Sequence, residues 1–200
     1  MKALAALLGL VAGCGGGVRA PAVSSGSVTV AFTPRPPAAG PLALDEATLD
    51  LEDLSLFGDV QAAPGFMLPD VAVDALAPSL PLTMDGLQAG VYSRLRFSVE
   101  SLQASGHWRD QSLAVDLVDR DDDDDVVADL RLPDGQTLTA GGTVRFLITI
   151  DVASWFAGVD LDAATVDADR CIRLGSGHNG ALVPALLAAL PPSFQLTASP

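Results

Sequence analysis

Lysine is nearly missing from this chain. Lys2 is the only one in 200 residues, so the remaining fixed positive charge is ten arginines, set against 25 aspartates and glutamates. The formal net charge is −14 at neutral pH. That balance disfavours nucleic acid and anionic headgroups as partners and favours cations or basic surfaces. Histidine occurs only as His107 and His178, and cysteine only as Cys14 and Cys171. A hydrolytic triad needs a nucleophile with a base in hydrogen-bond reach and an orienting acid, and neither histidine sits in such a context. Soft metals want several His, Cys or Met side chains at close spacing, whereas Met67 and Met84 are as isolated in sequence as the histidines. Neither catalysis nor a copper or zinc centre is the first expectation.

What is present begins with a short positive start, Met1-Lys2, then Ala3 to Ala12, apolar apart from Gly9, then Gly13 and Cys14. Charge, apolar length and small-residue end are those of a secretory signal peptide. The run is half the roughly 20 apolar residues of a spanning helix and cannot cross a bilayer. Val11-Ala12-Gly13-Cys14 resembles the bacterial lipobox, in which small residues admit the lipoprotein signal peptidase and the cysteine sulfur receives a diacylglyceryl thioether. The resemblance implies that residues 1–13 are a lipoprotein signal peptide and that Cys14 opens the mature chain with acyl chains such as palmitate. The membrane is then a partner through that anchor, at about 0.8 kcal/mol per buried methylene. Gly15 stands where an aspartate tends to retain such proteins in the inner membrane, so the outer membrane is the expected location. Residues 14–26 are the lipidated cysteine and a Gly/Ser/Pro/Ala tether, with an r.m.s. reach of roughly 20 Å. Residues 27–200 are expected to form one domain. With Cys14 a thioether, Cys171 lacks a disulfide partner and is expected to be a small packing residue.

The rest of the chain reads as strands. Val28, Val30 and Phe32 alternate with polar or small residues until "PRPPAAGP" ends the ladder. Ala47, Leu49 and Leu51 occupy odd positions, then Leu54 and Leu56 even ones, a slip that predicts a β-bulge near Glu52-Asp53. Val91, Ser93, Leu95, Phe97 and Val99 share one predicted face, with Tyr92, Arg94, Arg96 and Ser98 on the other. The glycines of "MDGLQAG" are expected to turn the chain just before them, and a second bulge is expected around Glu100 to Leu102. Leu113, Val115 and Leu117, then Val126, Ala128, Leu130 and Leu132, flank an acidic loop and predict a hairpin, with "PDG" at 133–135 as a turn. Val144 to Val152 is predicted as a central strand. Asn179 is the expected cap of a helix carrying Leu182, Val183, Leu186, Leu187 and Leu190, stopped by Pro191-Pro192 and followed by a strand from Phe194 to Thr197. Seven to nine short strands and one late helix predict an all-β fold, an antiparallel β-sandwich of prealbumin or immunoglobulin type with one short C-terminal helix.

Three segments, "LQAGVYSRLRFSV" at 87–99, "LTAGGTVRFLITIDV" at 138–152 and the Asn, Leu, Phe and Leu spacing over 179–196, resemble the uncharacterised bacterial lipoprotein domain called domain of unknown function 4382. The resemblance implies a prealbumin-like sandwich with no agreed activity. "TPRPP" after the first strand departs from that family's usual acidic turn. "WFAGVDLD" at 155–162 carries a weaker likeness to periplasmic proteins associated with copper handling.

The most unusual stretch is "DRDDDDD", Asp119 to Asp125. Calcium takes six to eight oxygens, which makes Asp121, Asp123 and Asp125 the candidate calcium ligands. The run lacks the glycine and distal glutamate of an EF-hand, so a solvated loop tip that discourages edge pairing is the expected reading. Asp160, Asp162, Asp167 and Asp169 form a second acidic group. The expectation is a lipid-anchored, non-catalytic cell-envelope protein serving binding or structure, with an envelope protein or glycan as partner and no required cofactor. The alternative is a periplasmic or surface metal-handling accessory protein, for calcium or copper.

Overall fold

Alternation became burial wherever the strands run straight. In the computed structural model, which describes residues 25–35, 40–59, 66–117, 126–175 and 177–199, β1 (Ser25–Pro34) seals Val28, Val30 and Phe32 from solvent. β1 begins at Ser25, two residues before the expected domain boundary. The signal peptide, Cys14 and the candidate calcium ligands Asp121, Asp123 and Asp125 lie outside the described residues.

The other strands are β2 (Leu42–Gly58), β3 (Phe66–Asp74), β4 (Leu82–Gln88), β5 (Gly90–Trp108), β6 (Gln111–Leu117), β7 (Val126–Leu138), β8 (Thr143–Ile150), β9 (Cys171–Gly175) and β10 (Phe194–Ser199), with one helix, α1 (Val183–Ser193). They form two sheets, ordered β10-β8-β1-β4 and β3-β2-β5-β6-β9, with β7 also on β5. The protein is thus all-β and sandwich-like with a single short C-terminal helix, as expected. Most ladders are antiparallel; β1 with β8 and β6 with β9 are parallel. One buried apolar cluster lies between the sheets, with Phe97 of β5 edge-on to Phe32 and Phe194 of the opposite sheet.

Bulges place the phase changes. Asp53 and Leu54 stand opposite Phe97 alone, between the pairs Glu52 with Ser98 and Ser55 with Arg96, and Asp53 takes φ 53°. Glu100 is the extra residue of β5 between Val99 and Ser101, so burial shifts from Val99 to Leu102 and Ala104, and the strand continues unbroken to Trp108.

Five expectations need correction. Leu113–Leu117 and Val126–Leu132 do not form a hairpin. β6 pairs residues 102–108 of β5 and β7 pairs residues 90–99, so both lie end to end along one flank of a 19-residue strand. "MDGLQAG" is mostly β4, paired with β1; Gly86, at φ 78°, is the extra residue of a bulge where Gly26 meets Leu87 and Ser27 meets Asp85. "PDG" does not end β7: Leu132 to Gly135 bulge opposite Ser93, and pairing resumes at Gln136. Against β2, Ser93 is the extra residue of β5, between Arg94 opposite Phe57 and Tyr92 opposite Gly58, so the phase flips and Tyr92 is buried while Val91 and Ser93 are half-buried. Asn179 does not cap α1, whose N-cap is Leu182. The Asn179 side chain accepts from Thr165 N and donates to the carbonyls of Thr165 and Arg173, tying the Thr165 loop to β9.

The ladders fix two ends. β1 starts at the near end, beside Gln88 and Thr143, close to where β2 finishes and β5 starts. At the far end, Leu42 pairs with Trp108, β8 finishes at Ile150, and a 3₁₀ turn (Val152–Phe156) follows.

Candidate functional site

The far end is left partly open because its pieces finish at different heights. Leu42 and Leu44 open β2 beside Trp108, Leu76 follows β3, and the 3₁₀ turn presents Val152 and Phe156. The turn is held by Ser154, whose N–H and hydroxyl both donate to Asp151 O. Between these side chains lies a cleft of about 290 Å³, lined by hydrocarbon, the indole and no ionisable side chain. A concave apolar cavity with polar groups at its margin is the usual form of a small-molecule site.

Polar groups stand beyond Trp108. Its Nε1 donates to Asp162 at 3.0 Å, and Arg109 donates to the same carboxylate at 2.8 Å while its guanidinium lies 5.4 Å from the indole centre. Asp160 accepts from Ala163 N and so steadies the short 3₁₀ turn (Leu161–Ala163) that carries Asp162. Arg170 pairs with Asp110. A second cavity of about 340 Å³ is bordered by Arg109, Asp110, Gln111 and Asp162 together with Leu161, Ala164 and Val166, and Trp108 lines both cavities.

The second acidic group does not converge. Asp162 serves Trp108 and Arg109, Asp160 serves a backbone amide, and Asp167 and Asp169 both receive Arg173. The Arg173 hydrogen bond holds the Asp169 carboxyl below the usual carboxylate range and pushes its own guanidinium up. No three His, Cys, Asp or Glu side chains among the described residues gather as metal ligands. His107 sits on β5 with Nδ1 3.3 Å from Asp45, and His178 lies beyond β9 with Nδ1 3.7 Å from Asp167; both are more than half exposed. Met67 is exposed on β3 and Met84 buried on β4, in different sheets. Cys171 is a buried free cysteine at the start of β9.

The cleft was missed in sequence because each lining residue reads as ordinary core. The one available signal was a tryptophan at a strand end beside an arginine, Trp108-Arg109. Comparison of the chain with protein-family models, with curated proteins and with solved structures finds no match.

Proposed function

We propose that this chain is a lipid-anchored, non-catalytic cell-envelope protein, held on the outer membrane through Cys14, whose sandwich serves as a binding module. The observation that carries the reading is directional. The chain enters the fold at the near end, at Ser25, whereas the cleft lies at the far end, a strand's length away. Ten residues of β1 span about 33 Å, which separates the start of the fold from the cleft. An anchor at Cys14 would thus turn the cleft away from the lipid that holds the protein and toward whatever lies beyond.

Metal handling has lost ground as the alternative, since Asp160, Asp162, Asp167 and Asp169 are engaged by arginines, an indole and a backbone amide, leaving that reading to Asp121, Asp123 and Asp125. The anchor is tested by Cys14→Ala in the native host. Loss of radioactive fatty-acid labelling with accumulation of unprocessed precursor supports the reading; a variant that still labels and matures overturns it.

A further inference from the structure

We infer that the far-end cleft binds the aliphatic tail of a single-chain amphiphile whose zwitterionic head rests in the polar chamber beyond Trp108. This deepens the binding role proposed above and rests on it. The lining offers no charge, and the one polar hydrogen of its ring system, Trp108 Nε1–H, is already donated to Asp162. A polar or charged group placed inside would lose water and gain no partner, so the portion of a ligand that fills the cleft is hydrocarbon. At about 290 Å³ the space holds on the order of ten methylenes, taking each as comparable to the roughly 30 Å³ share of a water in the liquid.

The head is chosen by charge. Arg109, Asp162 and Asp110 border the second chamber; Arg109 pairs with Asp162, and Arg170, outside the lining, pairs with Asp110. A purely anionic head meets two carboxylates in a protein already at −14, and a purely cationic head meets the Arg109 guanidinium beside carboxylates that arginines already neutralise. A head carrying both signs finds an opposite partner for each. Because Trp108 borders both chambers, tail and head can be housed on either side of one side chain.

The test is calorimetric titration of the full chain carrying Cys14→Ala, so that no covalent acyl chain competes, with octyl-, decyl- and dodecylphosphocholine below their micelle concentrations. Affinity is expected to rise about fourfold per methylene up to decyl and to level off beyond it, as the cleft fills. Ala157 lines the cleft at an exposed position, so Ala157→Phe is expected to remove saturable binding with the melting temperature retained. Absence of saturable binding in the parent protein, or an unchanged chain-length dependence in a folded Ala157→Phe, overturns the inference. Should that variant fold poorly, the chain-length series decides alone, and a series without a plateau counts against the cleft. Equal binding of dodecanoate or dodecyltrimethylammonium overturns the head assignment. The anchor is read separately by fatty-acid labelling, so either proposal can fail without the other.

Discussion

Trp155 Nε1 donates to Ser193 Oγ at 2.9 Å with both residues sealed from solvent, and the same hydroxyl donates to Leu190 O at 2.6 Å. The link supports the last turn of α1, where Pro191 and Pro192 have no N–H to give to the preceding turn. The serine ties the last turn of the helix to the 3₁₀ turn that forms one wall of the cleft. Ser193→Ala leaves a buried indole N–H without an acceptor and is expected to cost about 1–3 kcal/mol. In a Trp155→Phe background the same change is expected to cost less, with a coupling of at least about 0.5 kcal/mol by denaturant unfolding. Additive losses would show that the two side chains do not act together.

The two faces of β5 are expected to differ sharply. Phe97 joins the sheets, 5.0 Å from the Phe194 ring and 6.3 Å from that of Phe32, so Phe97→Asp buries a charge among aromatics and prevents folding. Arg96 is exposed, and Arg96→Asp is expected to stay within about 1 kcal/mol. Nearer the start of the strand the bulge reverses the order. Tyr92 is buried with its hydroxyl donating to Gln88 O, and burial, with Asp59 nearby, raises its phenol pKa. Tyr92→Ala should cost about 3–5 kcal/mol and Ser93→Ala less than about 0.5. Chemical denaturation of the four variants checks the assignment; similar losses at Tyr92 and Ser93 would sink it.

How far the sequence reached follows from what alternation encodes. Period-two patterning reports burial directly, so the strands around Val28, Leu49, Phe97, Val115 and Phe146, and the slips at Asp53 and Glu100, were readable without coordinates. Pairing is another matter. β6 and β7 look like a hairpin because they are consecutive, but β5 is long enough to take both on one flank, a property of its length rather than of their residues. Gly86 and Gly135 adopt the positive φ that turn chemistry implied, yet the same conformation serves a bulge inside a continuing strand. Asn179 has the chemistry of a cap, and two bonds to Thr165 and one to Arg173 of β9 claimed its side chain instead. Nothing in the pattern marked Leu42, Leu76, Trp108 and Val152 as one site, and what makes them a cleft is the staggered finish of the elements that carry them.

Two glycines separate steric crowding from backbone conformation. A Cβ on Gly106 would lie against Ala43 O and 2.7 Å from Leu44 Cα, both backbone atoms of β2 that cannot turn aside. Gly106→Ala is therefore expected to force β2 and β5 apart beside the cleft, with a loss above about 3 kcal/mol and weaker amide protection at Leu44 and Gly106. Gly86 has φ 78° and open space around a Cβ, so Gly86→Ala meets only the left-handed penalty of about 1–2 kcal/mol. A Gly106 variant as stable as the Gly86 variant would mean that the two strands are not in contact there.

Acid is expected to act through Asp129. Arg94 donates to both of its oxygens, at 2.7 and 2.6 Å, and that hydrogen bonding, aided by the charges of Arg94, Arg131 and Arg96, holds the carboxyl below its ordinary value despite partial burial. A carboxyl depressed in the fold stabilises it above the unfolded value of about 3.9 and ceases to do so as pH falls through the folded value. Its side chain is more than a third exposed, so water screens the pair and the contribution stays small. Asp129→Asn leaves three arginines around an uncharged amide and should be less stable than the parent at pH 7. That difference should narrow as pH falls below the unfolded value of about 3.9 and through the lowered folded value, and it should vanish once the parent carboxyl is protonated in both states. Raising salt to about 1 M at pH 7 should narrow it too, since the Debye length falls to about 3 Å. Denaturant midpoints of both proteins from pH 2 to 7 measure the difference. A gap that stays constant across the range would mean that the Asp129 charge contributes nothing and that the variant is destabilised through shape alone.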